Sequence, residues 1–595
     1  MKKFSTLKRV YTFFNGYKRS LLIALFLVIL STAIAMAMPL IFRHLLDQAI
    51  PSKDLSQIIT IGILFLLATV ASSLCSYSEQ LLVGNMGFEI INQLKIKLLK
   101  HILTLPLNFF DKNGAGRLIS RIDSDTQQLF MLFSSVSLEL LGAALNVVVA
   151  IIIMFSISSK YALMAIPMIP FFIFFSVLFF GRLRKMYKHD RKLYANISAF
   201  LGEHLGAIPL LQKLAALEWS KKKFQQVNDE KTKFAQTIFL REYAIFFAFR
   251  IIPELIIALV IYRGASDIKA NVISIGTIWM FIDYLRMATE PLFRLSEQIG
   301  QLQRGVSSAD RLFEILDTRP EVDNEKNITP HSYQSYNSYQ HQPYQFKEKI
   351  EFKNVSFAHT PTRPTLTDLS FSINKNEIVA IVGPTGHGKS TIFSLLCRFY
   401  NVDAGEILID GKNLQEIHLS SWRKIVGLFW QEIKLFPGNV LDNLKVLRQD
   451  IPDCQVHQIT SDLGITSIIE NFEKGFATSL LENGGNISSG EKQLLSLARS
   501  MVFGPDILLL DEATSAIDPQ TEQMIQAALD KILPGKTAII IAHRLSTIAR
   551  ADKIIVIKDG KVVEQGTHHE LMTANADYAN LYHSQNHRKE VICSF

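Results

Sequence analysis

Apolar residues are concentrated in long runs in the first half of the chain. Four runs carry almost no charge, and each reaches the roughly 20 residues that a helix needs to cross a hydrocarbon core. They are residues 21–42, 58–83, 129–155 and 161–180. Two less regular runs follow, at residues 237–262 and 273–295. The pattern predicts six membrane-spanning helices.

The segments between these runs are strongly basic on one side only. Clusters of Lys and Arg occupy residues 81–128 and 183–236, whereas the opposite loops are short and carry few bases. By the positive-inside rule the basic side faces the cytoplasm. We therefore expect both termini of this multi-pass membrane protein to be cytoplasmic. The two basic segments also show helical apolar spacing, which predicts helices that continue beyond the bilayer.

The first 20 residues differ from a signal peptide. Apolar and basic side chains are interleaved in residues 1–20, a pattern typical of a helix that lies on the membrane surface. A plain charged tail is the alternative. The apolar run that follows is longer than the core of a signal peptide and is itself followed by five more, so cleavage is not expected.

The composition changes after residue 317. Residues 318–347 are rich in Ser, Tyr, Gln, Asn and His, without helical or strand periodicity, which predicts a polar linker. From residue 348 to residue 595, short apolar runs alternate with helical stretches. This alternation is typical of an α/β domain with a mostly parallel sheet. The predicted organisation is an interfacial helix at 1–20, a transmembrane domain at 21–317, the linker and the α/β domain.

Composition and charge narrow the range of partners. Hydrophobic residues make up 48 %, charged residues 19 %, and the net charge is +8. The charged share is below the quarter that is usual in soluble proteins, and the apolar content excludes a disordered chain. The positive charge would also suit binding to nucleic acid. The Lys and Arg residues flank the predicted spans, however, so membrane lipid is the expected partner and nucleic acid is not. The four cysteines lack C-x-x-C spacing, which argues against a zinc module and a disulfide scaffold.

The α/β region contains a phosphate-binding sequence between an apolar strand and a helix. Residues 383–390 read Gly-Pro-Thr-Gly-His-Gly-Lys-Ser, which matches G-x-x-x-x-G-K-[ST] in its required context. In such a loop backbone N–H groups surround phosphate oxygens, the lysine reaches the β/γ-phosphates and the serine ligates Mg²⁺. ATP and Mg²⁺ are the predicted cofactors. The candidate nucleotide-binding residues here are Gly383, Pro384, Thr385, Gly386, His387, Gly388, Lys389, Ser390 and Thr391.

A second apolar strand ends in two carboxylates. Residues 507–510 are followed by Asp511 and Glu512, and the carboxyl ends of parallel strands form the nucleotide crevice in this kind of sheet. Asp511 fits Mg²⁺ coordination, and Glu512 fits polarisation of the attacking water. An acid after an apolar strand is a weak signal alone, but it becomes strong beside the phosphate-binding loop.

Between these motifs, residues 486–493 read Asn-Ile-Ser-Ser-Gly-Glu-Lys-Gln. This sequence resembles the signature motif of ATP-binding cassette (ABC) proteins, with Ser488 and Gly490 in matching positions and Ser489 between them. A helix begins here, so free N–H groups can bind a γ-phosphate presented by a partner subunit.

Other elements of the ABC family follow in order. Gln431 resembles the Q-loop glutamine, Asp518 the D-loop aspartate and His543 the switch histidine. The resemblance implies that Glu512, His543 and Gln431 are catalytic and that Asp518 contacts nucleotide. It also implies that Ser390, Gln431 and Asp511 hold the metal.

Three positions depart from the family pattern. His359 stands where the family usually places an aromatic ring against adenine, and an imidazole stacks over less area. Ser489 replaces the usual second glycine, and Glu491 replaces the usual glutamine. The negative charge of Glu491 is unfavourable near a phosphate unless Lys492 offsets it. Ser488 and Gly490 are retained, so we expect a working site.

The membrane half also resembles its family counterpart. Residues 109–121 and Asp125 are similar to the first cytoplasmic loop of ABC exporters, and residues 275–292 are similar to their sixth span. The predicted fold class is multi-domain, with an all-α transmembrane domain of six helices (type IV ABC exporter) followed by an α/β P-loop ATPase domain.

The chain resembles bacterial multidrug and lipid exporters. The resemblance implies a half-transporter that exports amphipathic compounds (drugs or lipids) by alternating access across the bacterial cytoplasmic (inner) membrane. One chain has one membrane domain and one ATPase domain. It would therefore work as a dimer, either a homodimer or a heterodimer with a second half-transporter. A lipid- or peptide-specific exporter is an alternative. A non-transporting ABC channel or regulatory subunit is another, although the retained Glu512 and His543 argue against it.

Two charge pairs lie inside predicted spans. Arg250 and Glu254 are four residues apart, and Asp283 and Arg286 are three apart. Charges at membrane depth usually face a bundle interior or a wet cavity, which makes these residues candidates for a substrate path. The alternative is mutual pairing that neutralises each helix.

Overall fold

The computed structural model describes residues 6, 9–133, 137–165, 167–320, 344–360, 362–430, 432–446, 451–511, 519–542 and 548–584. The chain divides into two compact units. The N-terminal unit comprises Met1–Thr104 and Gly114–Thr318, and the C-terminal unit comprises Leu105–Asn113 and Arg319–Phe595.

Six long helices form most of the N-terminal unit within the described residues. They are α1 (Lys18–His44), α2 (Leu55–Ile102), α3 (Ser137–Ile157), α4 (Met168–Gly206), α5 (Leu217–Lys269) and α6 (Ile275–Leu316). Shorter helices connect them, at Ala115–Ser120, Thr126–Met131, Ser159–Ala165 and Ile208–Lys213. The predicted spans at 21–42, 58–83 and 237–262 lie wholly within α1, α2 and α5, and the other three overlap α3, α4 and α6.

Several of these helices are suited to a bilayer. In the part of the chain that the structure describes, three helical stretches are long and apolar enough to cross a membrane, and Leu141–Ile157 is a shorter apolar helix. The three are Arg9–Ser52, Leu55–Ile102 and Leu217–Lys269. Large apolar side chains such as Phe26 and Leu66 are more than half exposed, which fits contact with lipid rather than water. α2 has 48 residues, so at 1.5 Å per residue it is about 72 Å long, against roughly 30 Å of hydrocarbon core.

Local hydrogen bonds determine where two of these helices begin. Asp54 caps α2 by accepting from the backbone N of Ser56 at 2.9 Å. Ser274 caps α6 by accepting from the N of Thr277 at 3.1 Å. Asp47, which follows α1, also accepts from the N of Gly276 at 2.8 Å. A Cβ on Gly276 would lie 2.7 Å from Asp47 Oδ1, so glycine permits this close approach.

A buried carboxylate joins the C-terminal part of α6 to residues 121–125. Asp125 accepts from Arg311 Nε at 2.9 Å, from Ser308 Oγ at 3.0 Å and from Arg121 at 2.8 Å. Burial alone would raise the pKa of Asp125, but the hydrogen bonds from Arg311 and Arg121 outweigh it and hold the pKa below its ordinary value. The carboxylate therefore remains charged and paired in the fold.

Two further side chains, from α2 and from the N-terminal segment, bind the end of α6. His101, in the last turn of α2, bonds through Nε2 to the carbonyls of Ile315 and Thr318, both at 3.0 Å. Arg9 donates to both oxygens of Asp317 at 2.7 and 2.8 Å and lies 4.1 Å from the centre of the Phe313 ring. The described part of the N-terminal segment therefore packs on protein as well as carrying exposed polar side chains.

Two sheets form the framework of the C-terminal unit. The strands are β1 (Lys349–Phe357), β2 (Leu366–Asn374), β3 (Ile378–Val382), β4 (Ala404–Ile409), β5 (Lys412–Asn413), β6 (Val426–Phe429), β7 (Gly438–Asn439), β8 (Ser479–Leu480), β9 (Ile507–Asp511), β10 (Thr537–Ile541), β11 (Lys553–Lys558) and β12 (Lys561–Gly566). A six-stranded sheet has the order β12-β11-β3-β10-β9-β6, in which β12 alone runs antiparallel to its neighbour. A four-stranded antiparallel sheet has the order β2-β1-β4-β5, and β7 pairs with β8.

The larger sheet is buried on both faces. Ala380 and Val382 of β3 pack in one hydrophobic core, while Val379 and Ile381 pack in another. This explains the continuous apolar runs of the sequence, because both faces of each parallel strand need apolar side chains. Two helices matter for the site, α7 (Lys389–Leu396) and α8 (Ser489–Val502). The others are Leu107–Lys112, Leu419–Ile425, Val440–Lys445, Asp453–Asp462, Thr466–Glu470, Pro519–Ile532 and His568–Ala574.

Candidate nucleotide site

The loop between β3 and α7 depends on glycine. Gly383, Gly386 and Gly388 have φ values of +148°, +85° and +95°, which other residues rarely adopt. A Cβ on Gly383 would lie 2.1 Å from the carbonyl oxygen of Ile557, and one on Gly388 would lie 2.6 Å from a methyl carbon of Leu366. The loop is thus tightly curved, and its backbone lies directly against neighbouring segments.

Lys389 begins α7 and points back into this curve. Its Nζ donates to the carbonyl oxygens of Gly383 at 2.7 Å and Pro384 at 2.8 Å, and the residue is only 6 % exposed. Burial lowers the pKa of Lys389, and the nearby charge of Asp511 partly opposes that shift. An ammonium group beside the N–H groups of a helix N-terminus is a chemically suitable site for phosphate.

The strand ends bring Asp511 to the same edge of the sheet. Ile541 of β10 is aligned with Ile381 of β3 on one side and with Asp511 of β9 on the other. Because these strands are parallel, the loop after β3 and the carboxylate after β9 emerge together. Asp511 is buried, and Ser390, the second residue of α7, is exposed. A carboxylate and a hydroxyl are oxygen ligands of the kind Mg²⁺ prefers, so the residues fit the ion.

Four predicted site residues lie outside the described part of the chain: Gln431, Glu512, Asp518 and His543. Glu512 directly follows β9, and His543 comes two residues after the end of β10. Their roles remain predictions from the sequence.

The signature segment forms a reciprocal cap at the start of α8. Ser488 donates its backbone N–H to Glu491 Oε2 at 2.7 Å, and Glu491 N–H donates to Ser488 Oγ at 3.2 Å. This is a capping box, in which Glu and Gln serve equally. Ser488 and Ser489 are exposed, whereas Gly490 is buried. The sequence predicts only that the negative charge of Glu491 is unfavourable near a phosphate. The structure shows that the same side chain stabilises the start of α8.

His359 belongs to an aromatic cluster that the sequence did not reveal. Its ring centre lies 4.9 Å from that of Phe357 and 5.1 Å from that of Tyr400, both nearly perpendicular. Its Nε2 is 3.4 Å from Thr391 Oγ1. Tyr400 in turn donates its hydroxyl to Asp111, in the helix Leu107–Lys112, and burial together with this bond raises the pKa of Tyr400. The candidate adenine-binding residue is therefore linked through one ring to that helix.

The charged residues of the predicted spans differ in how far they are buried. Arg250, Glu254 and Arg286 are exposed in the single chain, and Asp283 is half-buried. Among the described residues, no ion pair joins Arg250 to Glu254 or Asp283 to Arg286. The role of these four residues in a substrate path remains a prediction from the sequence.

The comparisons with known proteins match both halves of the chain. Residues 21–292 match the family described as "ABC transporter transmembrane region", and residues 366–515 match the family described as "ABC transporter". The chain belongs to the ABC transporter family. The predictions of family, of a helical membrane domain followed by an α/β domain, and of an ATPase coupled to transport are confirmed. This ABC transporter is an integral membrane protein that binds nucleotide.

Relatives of similar length match this ABC transporter from end to end. It is 32 % identical to an uncharacterised ABC transporter ATP-binding protein of Bacillus subtilis, over 98 % of this chain and 94 % of the relative. It is 30 % identical to the ATP-dependent lipid A-core flippase of Desulfotalea psychrophila, over 97 % of this chain and 99 % of the flippase. A putative multidrug export ATP-binding/permease protein of Staphylococcus aureus is 33 % identical, over 98 % and 100 % of the two chains.

A solved structure has the same fold. A bacterial Atm1-family ABC exporter with ATP bound superposes with a TM-score of 0.77, at 24 % identity, over 96 % of this chain and 98 % of that one.

Proposed function

We propose that this ABC transporter is an exporter half-transporter that moves amphipathic compounds, drugs or lipids, outward across the bacterial cytoplasmic membrane. ATP binding and hydrolysis would drive alternating access, and both termini would be cytoplasmic. Two half-transporters would act together, either two copies of this chain or this chain with a different one.

The observation that carries the proposal is the presence of one set of membrane helices and one ATPase unit in a single chain. Full-length relatives are named a lipid A-core flippase and a putative multidrug exporter, and both kinds of cargo are amphipathic. Exposed apolar side chains along α1 and α2 favour a protein that works in contact with lipid.

The nucleotide site has a proposed division of roles. Lys389 and the loop 383–391 bind the phosphates, His359 contacts the base, and Ser488, Ser489, Gly490 and Asp518 contact nucleotide from a second subunit. Ser390, Asp511 and Gln431 would hold Mg²⁺, which when bound neutralises phosphate charge. Glu512 orients the attacking water, assisted by Gln431 and His543. Arg250, Glu254, Asp283 and Arg286 are proposed to line the substrate path.

The test uses Glu512→Gln in the purified full chain, reconstituted in lipid vesicles. Loss of the general base is expected to lower steady-state ATPase by roughly 100-fold or more, while ATP still binds. Lys389→Ala is the control, because it should lose ATP binding itself. Both transport of a fluorescent amphipathic dye and flipping of a labelled lipid are measured.

The outcomes separate the parts of the proposal. If Glu512→Gln hydrolyses ATP and transports as the unaltered chain does, the catalytic assignment is wrong. If the unaltered chain alone shows neither activity and gains both with a second half-transporter, the working unit is a heterodimer. Robust ATPase without movement of dye or lipid would contradict this substrate class.

A further inference from the structure

The turn between β11 and β12 lies against the phosphate-binding loop. Asp559 and Gly560 have φ values of +50° and +73°, as expected for a two-residue Asp-Gly hairpin turn. The last pair of the strand ladder is Lys558 with Lys561. The backbone N–H of Asp559 therefore lies beyond the ladder and is available to another segment.

His387, inside the loop, accepts that N–H. Its Nδ1 lies 2.8 Å from the backbone N of Asp559 and 3.4 Å from the Asp559 carboxylate. A ring nitrogen that accepts a hydrogen bond carries no proton, so in this contact Nδ1 is the acceptor atom. The sequence placed His387 among the candidate nucleotide-binding residues but gave no indication of its contact with Asp559.

The turn and the end of the loop both pack against residues 365–367. The carbonyl of Gly560 accepts from the N of Thr367 at 2.9 Å. A Cβ on Gly560 would lie 2.5 Å from the carbonyl oxygen of Thr365, and one on Gly388 would lie 3.0 Å from that same oxygen. The turn and the end of the loop are thus packed on one stretch of chain.

The middle of the loop lacks such packing. A Cβ on Gly386 would meet no atom within 4 Å, and glycines on both sides of His387 give the backbone wide conformational freedom. A side chain between them that bonds to a fixed turn restrains the least supported part of the loop.

We propose that His387 is a positioning residue for ATP hydrolysis. By bonding to the β11–β12 turn, it holds the loop in the curve that presents its N–H groups to phosphate. This rests on the proposed role of residues 383–391 as the phosphate-binding loop. His387 acts through that loop and touches none of the reacting atoms.

The test compares variants of the purified full chain by ATP affinity and by the KM and kcat of ATP hydrolysis. His387→Ala removes the acceptor and is expected to raise both Kd and KM about three- to tenfold, the effect of one lost hydrogen bond. His387→Asn places an amide oxygen near the Nδ1 position, so it is expected to recover part of the ATP affinity and KM that His387→Ala loses. Asp559→Asn keeps the backbone N–H but removes the carboxylate, and it should also have little effect.

Several results would overturn the inference. They are an unchanged KM in His387→Ala, a His387→Asn variant no better than His387→Ala, and a loss in Asp559→Asn as large as that in His387→Ala. If His387→Ala does not fold, His387→Gln, whose oxygen lies at the wrong position, replaces it with the same expectation. Lys389→Ala tests the underlying assignment, because continued ATP binding by that variant would contradict the phosphate-binding loop itself.

Discussion

Glu491 shows how one departure from a family pattern can have a structural reason. Its carboxylate bonds to the N–H of Ser488 at the start of α8, so it satisfies a donor that would otherwise be free. It also adds negative charge at a helix end where phosphate is proposed to bind. The stability of the helix start and the affinity for phosphate therefore favour different side chains at this position.

We predict that Glu491→Gln separates these two effects. The amide keeps the capping box and removes the charge, so the KM for ATP should fall, by about two- to fivefold for a weakened charge repulsion of well under 1.4 kcal/mol. Glu491→Ala also removes the charge but loses the cap, at a cost of about 1 kcal/mol to the helix start. ATPase assays over a range of ATP concentrations provide the measurement. An unchanged or higher KM in Glu491→Gln would show that the charge does not oppose ATP.

The sequence predicted those parts of the site whose residues are close along the chain. The loop 383–391 forms a continuous stretch that its spacing identified, and the signature residues form another that was identified by its resemblance to the family motif. His387 and Asp559 are 172 positions apart, and Tyr400 and Asp111 are 289 apart. Such contacts depend on how distant elements pack, which local periodicity does not encode.

Among the elements, the helix Leu107–Lys112 has an unusual position. It belongs to the compact C-terminal unit, although the chain on both sides of it belongs to the N-terminal unit. Tyr400 holds it through Asp111 and also contacts His359. A change at His359, the candidate base-binding residue, is therefore separated by one aromatic ring from a segment continuous with the membrane half.

We predict that Tyr400→Phe weakens coupling more than it weakens ATP hydrolysis. The phenyl ring keeps the contacts with His359 and Phe357, and only the hydroxyl that bonds to Asp111 is lost. Basal ATPase should stay within about twofold, while substrate transported per ATP falls by roughly the three- to tenfold of one lost hydrogen bond. Tyr344→Phe is the matched control, since that hydroxyl bonds to the carbonyl of Ile409 within the α/β domain. Equal transport per ATP in Tyr400→Phe and the unaltered chain would refute the coupling role.

Asp125 gives a second prediction about elements. Asp125→Asn removes the carboxylate to which the partly buried Arg121 and Arg311 donate, which should destabilise the N-terminal unit by about 2 kcal/mol. Asp123→Asn is the control, because its pair with Lys95 is exposed and worth about 0–1 kcal/mol. Thermal unfolding in detergent should show a lower Tm for the first variant only. Equal Tm values in both would contradict a structural role for the cluster.

The sign of the pH effect follows from the same cluster. Since the folded pKa of Asp125 is held below its ordinary 3.8, its contribution to stability is present above that value and is lost as the pH falls through the folded pKa. Acid destabilisation below about pH 4 should therefore be smaller in Asp125→Asn than in the unaltered chain.

At the scale of the whole molecule, the sequence predicted a membrane half and an ATPase half. It did not predict the exact boundaries between neighbouring elements and units. Apolar runs and strand–helix alternation depend on composition over tens of residues, so they survive without tertiary information. By contrast, the helix Ser159–Ala165 ends and α4 begins within the apolar run 161–180, where hydropathy gives no boundary and the signal is Pro167 at the start of α4. The assignment of Leu107–Lys112 to the other unit had no sequence signal.

Membrane orientation is testable on the intact transporter. In a background without the four native cysteines, Val272→Cys lies in a predicted external loop and Leu214→Cys in a predicted cytoplasmic one. The two sites are similarly exposed, at 69 % and 64 %. A membrane-impermeant maleimide added to whole cells should label the first and not the second, and both should react after lysis. Labelling of Leu214→Cys in intact cells would reverse the proposed topology.

The length of α2 has a mechanical consequence. The helix has 48 residues and no internal proline. His101, near its C-terminal end, is hydrogen-bonded to carbonyl groups at the end of α6. A tilt of only about 10° around one end of a rod some 72 Å long displaces the other end by roughly 12 Å. Small rotations at one end of the helix are therefore amplified into displacements wider than a lipid headgroup at the other.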